Sequence, residues 1–232
     1  MSSTEHLAES VMNSTEHQAE SVRGVVLAGG DSTRFEAGDK ALATVDAEPI
    51  LMRIINVLDQ TTDRKPVVSV RTAEQRATYA NMGDRNTLQF VYDIPDHDGP
   101  LAGIFGAATS LDARWLFCCG CDMPLLAPTA VTWMIEQLPD GRTNNQLQVD
   151  AIAIEHPTGV VEPLHTLYRQ KSIVERQQTL PRAAGPRMLL SELDTVYTVR
   201  TVEVPKEVPI DTSTTNVNTL EELETVQMEY LK

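Results

Sequence analysis

From residue 23 onward the chain alternates between short apolar runs and longer segments whose apolar positions fall three and four apart. The run at 23–28 reads as a strand that stops at Gly29-Gly30. Pro49 opens "PILMRIINVLDQ", whose spacing predicts a helix. "PVVSVR" predicts a second strand, and "TAEQRATYANMG" a helix with Thr72 at its N-cap and Gly83 past its end. "TLQFVYD", "RWLFCCGCD" and "VDAIAIE" predict three further strands. "GPLAGIFGAATSLD" and "APTAVTWMIEQL" predict helices among them. Strands that alternate with helices in this way predict βαβ units with right-handed crossovers. Runs that are apolar throughout suit strands covered on both faces. The fold class expected is α/β, in three layers around a mainly parallel central sheet.

After residue 155 the rhythm changes. "VVEPLHTLYR" predicts a strand that Pro163 places at a sheet edge or a break. "QKSIVERQQTL" and "GPRMLLSELD" predict helices, and "VYTVRTVEVP" a strand that carries charge. "NTLEELETVQMEYL" predicts an amphipathic closing helix capped by Asn218 or Thr219. "PDGRTNNQLQ" reads as a loop. The first 22 residues duplicate an 11-residue unit, "MSSTEHLAESV" then "MNSTEHQAESV". One duplication is too short for a solenoid and too polar to bury surface, so residues 1–22 are expected to form a disordered tail, with Met12 a second candidate start. Residues 23–232 are expected to form a single domain.

Composition narrows the function classes. Asp and Glu total 33 against 19 Lys and Arg, a formal net charge of −14. Such a surface repels nucleic acid and anionic membranes, and no basic stripe offsets it. No apolar run approaches the roughly 20 residues of a membrane span, and the N-terminus has no signal-peptide pattern. A cytoplasmic protein is expected. Cys118, Cys119 and Cys121 contain a CxxC spacing. With no second Cys/His cluster to complete a zinc site, they read as small apolar residues of a buried strand.

In an open α/β sheet, ligands bind beyond the C-terminal ends of the strands, and four sequence features fall there. The first is "LAGGDSTRFEAGDKAL", residues 27–42. It matches neither the dinucleotide fingerprint nor the P-loop. Gly29 and Gly30 allow a close backbone approach, and Arg34 and Lys40 could neutralise phosphate oxygens. A tight turn with two solvated cations is the alternative. The second is Asp93, followed by Asp96, His97 and Asp98, which also reads as a polar turn before a helix. The third is Asp122, directly after an apolar strand, where a carboxylate needs a partner such as Mg²⁺ or serves as a turn residue. The fourth is "NVN": in extended backbone Asn216 and Asn218 face one way and could hold a metal or phosphate. A capping box of Asn218 with Glu221 is the alternative.

Together, "VVLAGGDSTRF…DKAL", "YD" before "GPLAGI", "CDMPLL", "EPLHTLY" and "NVNTLEEL" resemble the molybdenum cofactor guanylyltransferase family of nucleotidyltransferases, over roughly residues 23–230. The resemblance implies a Rossmann-like nucleotidyltransferase fold. It implies that Leu27, Ala28, Gly29 and Gly30 line GTP, and that Lys40, Asp93 and Asp122 contact it. It also implies Mg²⁺ on Asp122, with Asn218 nearby as a further metal candidate. Catalysis would fall to Arg34, Lys40 and Asp122. Where the family often has an Asn ending the second strand, Ser69 is the residue here. Glu36 follows Phe35 where Gly is usual near that point, and Leu220 replaces a Pro. The reaction implied is attack by the terminal phosphate of molybdopterin, with or without molybdenum, on the α-phosphate of GTP. The partners implied are GTP, molybdopterin or molybdenum cofactor, and molybdoenzyme maturation proteins. Two other readings stay open: a relative that uses CTP or another phosphorylated acceptor (cobinamide phosphate, phospholactate, a sugar phosphate), or a nucleotide-binding adaptor without catalysis. The charge balance also suits a saline cytoplasm, where screening relieves self-repulsion. On that reading the thermal midpoint rises between dilute buffer and molar KCl, and full stability in dilute buffer counts against it.

Overall fold

A computed structural model describes residues 21–30, 35, 38–82, 88–139 and 149–230. The tandem tail, Arg34, Glu36, Gly83 and most of the "PDGRTNNQLQ" loop lie outside the described residues. β1 (Val22–Leu27) leads through a 3₁₀ turn at Lys40–Leu42 to a small hairpin, β2 (Thr44–Val45) and β3 (Glu48–Pro49). Next come α1 (Ile50–Thr61), β4 (Arg64–Val70), α2 (Ala73–Ala80), β5 (Gln89–Tyr92), α3 (Gly99–Ser110), β6 (Trp115–Gly120) and α4 (Pro128–Glu136). The second half runs β7 (Ala151–Glu155), β8 (Val161–Arg169), α5 (Gln170–Arg176), α6 (Pro186–Glu192), β9 (Val196–Arg200), α7 (Ile210–Ser213) and α8 (Leu220–Tyr230). Among the described residues no helix is long and apolar enough to cross a membrane.

The main sheet has seven strands in the order β5-β4-β1-β6-β8-β7-β9. β5, β4, β1 and β6 are mutually parallel, β8 runs antiparallel to both β6 and β7, and β9 is parallel to β7. The strand period of two sorts side chains between two cores. Trp115, Phe117 and Cys119 join Ile152 and Ile154 under α1, α4 and α8. Leu116 and Cys118 join Ala151 and Ala153 under α3, α5 and α6. All three cysteines are free and buried, as the apolar-strand reading expects. Helix packing is tight enough that a Cβ on Gly24 would come 2.9 Å from the Leu58 side chain.

Three expectations need correction. Pro163 marks a break, but β8 is central rather than an edge. Between Ile152↔Leu167 and Ile154↔Glu162 the register slips, and the extra β8 residues are held locally. Thr166 Oγ1 donates to the Glu162 carbonyl at 2.6 Å, and the Tyr168 hydroxyl to that of Pro163 at 2.9 Å. The last strand stops at Arg200, because Thr201–Glu203 form a 3₁₀ turn closed by the Arg200–Glu203 ion pair. The cap of α8 is Thr219. Its hydroxyl accepts from Glu222 N at 3.2 Å, and Glu222 accepts in return from the N–H groups of Asn218 (2.5 Å) and Thr219 (3.2 Å). The capping box is real, one residue later than the Asn218–Glu221 reading.

His165 of β8 is fully buried, edge-on to Phe117 at 5.0 Å. Its Nε2 lies 3.0 Å from Ser213 Oγ, which accepts from Ala127 N at 3.1 Å. Among the described residues its Nδ1 has no partner. Burial disfavours the imidazolium and pushes the His165 pKa from 6.5 down to about 4. Below pH 6.5 the unfolded chain takes up a proton that the folded chain refuses. The stability this group confers is therefore complete above pH 6.5 and is lost as pH falls toward 4. Chemical denaturation should show wild type losing up to about 3 kcal/mol more over that interval than His165→Gln. Parallel curves would remove His165 from the account.

Candidate functional site

The C-terminal edge of the sheet sets out the site residue by residue. Leu27 pairs with Gly120 in register, and Cys121 N donates to the Leu27 carbonyl at 3.2 Å. On the other side, Ala28 N donates to the Ser69 carbonyl at 2.9 Å, and Asp93 N to that of Val70 at 3.0 Å. At their C-terminal ends β1, β4, β5 and β6 thus bring Ala28 to Gly30, Ser69, Asp93 and Asp122 to one rim, Ser69 being still paired within β4. They enclose a cleft of about 90 Å³ with Lys40 and with Gly99, Pro100 and Gly103 from the start of α3. Leu164 of β8 closes the far wall.

Glycine is required at this rim because the space beside it is already taken. A Cβ on Gly29 would collide with the Asp93 carboxylate. One on Gly103 would come 2.9 Å from both Leu27 Cδ2 and Ser69 Oγ. Gly29 of the "GG" motif and Gly103 of "GPLAG" are therefore two sides of a single close approach around Asp93. Ser69 Oγ donates to Asp93 Oδ1 at 2.5 Å. Burial raises the Asp93 pKa, and the Ser69 hydroxyl and nearby Arg71 partly counter it. Gly99 turns the chain into α3 with φ +62°, a conformation that favours glycine.

Lys40 is aimed by its neighbour. Asp39 caps the 3₁₀ turn by accepting from Ala41 N at 3.0 Å, and its other oxygen accepts the Tyr79 hydroxyl at 2.5 Å. Tyr79 is fully buried, and burial together with Asp39 raises its pKa, so it stays a phenol donor. Lys40 Nζ then meets Asp122 Oδ2 at 2.6 Å, the two side chains being 20% and 17% exposed. The Asp122 carbonyl accepts from Val217 N at 2.8 Å, which brings the Asn216–Asn218 segment against the Asp122 backbone. Asn216 is exposed and Asn218 is half-buried. Cys121 lines the same cleft, but burial pushes its thiol up to about 12, so it is no nucleophile at neutral pH.

The sequence-derived residues Leu27, Gly29, Gly30, Lys40, Asp93 and Asp122 line this cleft together, and Ala28 and Ser69 adjoin it. Asp98 and His97 do not join them. Asp98 takes Arg182 at 3.2 Å, and His97 is buried against Phe105 with Nε2 2.9 Å from the Gln177 carbonyl. These contacts clasp the turn before α3 to the turn after α5. Sequence reasoning missed Tyr79 and Asp39 as a pair. The available signal was a lone Tyr on an otherwise polar helix.

Residues 24–196 match the family model of a MobA-like NTP transferase domain. A probable molybdenum cofactor guanylyltransferase of Natronomonas pharaonis is 31% identical over 179 residues, covering 76% of this chain and 83% of that protein. A second, from Methanosarcina mazei, is 27% identical over 86% of this chain and 87% of its own length. The crystal structure of molybdopterin-guanine dinucleotide biosynthesis protein A from Archaeoglobus fulgidus superposes with a TM-score of 0.70 at 19% identity, covering 89% of this chain and 97% of that one. A Mycobacterium tuberculosis protein of the same fold, TM-score 0.62 at 16% identity over 90% of this chain and 99% of that one, was solved in complex with manganese.

Tyr79→Phe should cost about 1 kcal/mol of stability, the loss of one buried hydrogen bond. Because Asp39 loses its anchor, nucleotide affinity should fall as well. Calorimetric titration with GTP checks this, and unchanged affinity in a destabilised variant would detach Tyr79 from the site.

Proposed function

Because the chain belongs to the MobA-like NTP transferase family, we propose that it transfers GMP from GTP to the terminal phosphate of molybdopterin, with or without bound molybdenum. The observation that supports this most is the convergence of the Gly29–Gly30 backbone, Lys40, Asp93 and Asp122 on one cleft at the sheet edge. The relatives named as molybdenum cofactor guanylyltransferases support the choice of base and acceptor. The site of action proposed is the cytoplasm.

In this reading an oxygen of the acceptor phosphate attacks the α-phosphorus of GTP. The bond from that phosphorus to the α–β bridging oxygen breaks, and pyrophosphate carries away the electron pair. The nucleophile is already an anion, so no general base is needed. The work of the protein is positioning and charge stabilisation. The Gly29–Gly30 backbone lets the phosphates approach closely, and Leu27 and Ala28 border the nucleoside. Asp93, held by Ser69, is the hydrogen-bonding side chain on the nucleotide side. Lys40, paired with Asp122 at 2.6 Å, is placed to neutralise the phosphate oxygens of a nucleotide in the same cleft. Arg34 lies outside the described residues and is the further cation proposed for this loop.

Asp122 fits Mg²⁺. It is a largely buried carboxylate at the strand end, paired with Lys40, and Mg²⁺ is commonly held by one or two carboxylates together with substrate phosphates. Asn218, whose neighbour Val217 is bonded to the Asp122 carbonyl, is the second candidate ligand. When bound, the metal would supply charge neutralisation at the transferring phosphoryl group.

Purified protein with molybdopterin, Mg²⁺ and α-labelled GTP should form the labelled dinucleotide, with CTP, ATP and UTP poorer donors. Asp122→Ala and Lys40→Ala should each lower kcat about 100-fold or more. Equal turnover by Asp122→Ala would sink the metal assignment, and preference for CTP would overturn the choice of base.

A further inference from the structure

The loop that carries Asp122 runs from the end of β6 to Ala127, the residue before α4. It is fastened at both ends to one stretch of the C-terminal region, residues 213–217. At the near end Val217 N donates to the Asp122 carbonyl at 2.8 Å. At the far end Ala127 N donates to Ser213 Oγ at 3.1 Å. Midway, Arg53 of α1 reaches the Pro124 carbonyl with its Nε at 3.4 Å. Ser213 is in turn held from the sheet: it is fully buried, and its Oγ lies 3.0 Å from Nε2 of His165. We propose that Ser213, oriented by His165, is a positioning residue for the Asp122 carboxylate. The proposal rests on the reading of Asp122 as the carboxylate that works on the nucleotide and its metal.

Three observations support it. The first is that α4 cannot fix this end of the loop by itself. Ala127 at its cap has no side-chain oxygen, and Pro128 after it has no N–H. The Ala127 N–H is held instead from the C-terminal region, by the Ser213 hydroxyl. The second is that the fastening is rigid. Ser213 N donates to the Pro209 carbonyl at 2.9 Å, and Thr214 N to that of Ile210 at 3.1 Å. Val217 is buried in the core under α1, α4 and α8. Within the loop Leu126 N returns to the Met123 carbonyl at 3.2 Å, and Met123 is fully buried. The carboxylate therefore stands on a short loop with two fixed ends.

The third is the imidazole. A buried polar ring costs stability that an apolar residue in its place would not. The Nε2 of His165 meets Ser213, and its chain neighbour Leu164 lines the cleft. His165 also pairs in register with Cys119 of β6, the strand that delivers Asp122. The ring thus refers Ser213 to the same sheet from which Asp122 emerges, and both ends of the loop are set from one frame.

The test begins with Ser213→Ala, which removes one oxygen. It should lower kcat about tenfold or more with the GTP KM unchanged. It should also weaken Mn²⁺ binding about tenfold, read by electron paramagnetic resonance in the presence of GTP. Amide exchange at Ala127 and Val217 should quicken. His165→Phe should reproduce these losses, and His165→Gln, which keeps a nitrogen near the place of Nε2, should recover most of them. Ile173→Val trims the other core. It should lower the melting temperature to a similar degree and leave kcat and Mn²⁺ affinity at wild-type values. Wild-type kcat and Mn²⁺ affinity in Ser213→Ala, or an equal loss of both in Ile173→Val, would overturn the proposal. Failure of Ser213→Ala to fold would overturn it too, by making the hydroxyl a requirement of folding. A His165→Gln no better than His165→Phe would remove His165 from the arrangement. The two readings fail differently. If the wild type forms no dinucleotide, the transferase reading falls, while Mn²⁺ affinity and amide exchange still decide the role of Ser213. Dinucleotide formation undiminished in Ser213→Ala would do the reverse.

Discussion

The pairing of β1 with β6 is the constraint on which the other parts of this molecule depend. From β1 the chain moves through α1 to β4 and then to β5, away to one side. From β5 it returns through α3 to β6 on the other side of β1. The two strands are bonded from Val22↔Trp115 to Leu27↔Gly120, and beyond that last pair their continuations part. The crevice left between them is where open α/β sheets accept ligands. The double glycine comes from one strand, Asp122 from the other, and the glycine-rich start of α3 from the connection that crosses over, while the end of β5 adds Asp93 and the 3₁₀ turn adds Lys40.

The charge balance of the chain sets an electrostatic problem. A chain of net charge −14 has to attract a triphosphate. The proposed site meets this locally, with a rim where backbone approaches closely and Lys40 is held in place from behind. The Tyr79–Asp39–Ala41 arrangement fixes the turn from which Lys40 reaches, so the cation loses less freedom when it engages a partner. Carboxylates inside the cleft are handled in two ways. Asp122 is paired with a charge, and Asp93 accepts a hydroxyl while burial raises its pKa. Neither sits as an isolated ion in an apolar pocket, which would cost far more.

Much of this was legible in the sequence because it was written in periodicity. The long strands β1, β4, β5, β6 and β7 and the helices between them followed from apolar spacing, whereas the small β2–β3 hairpin did not, and the candidate site residues followed from asking what sits just past each strand. Direction was harder to read. Nothing in "EPLHTLY" says that β8 runs antiparallel in the middle of the sheet, because a proline beside apolar residues fits an edge equally well. The slip in register that accommodates Pro163 depends on hydrogen bonds to Glu162 and Pro163 carbonyls, which have no sequence signature. The Asp39–Tyr79 bond joins residues 40 apart and is a tertiary fact. The end of β9 was misjudged because an ion pair three residues apart outweighed a run of strand-forming residues.

The bulged hairpin of β7 and β8 separates two kinds of change. The turn at residues 156–160 is exposed over most of its length, and Gly159 within it takes φ +78°. Its nearest hydrogen bonds are its own, His156 N to the Val160 carbonyl and Gly159 N to that of His156. Insertions or exchanges there leave the β1–β6 crevice untouched. Sequence change at this turn can therefore accumulate without disturbing the strand ends that carry Gly29, Asp93 and Asp122. The fold separates the part of the enzyme that must be inherited from the part that is free to vary.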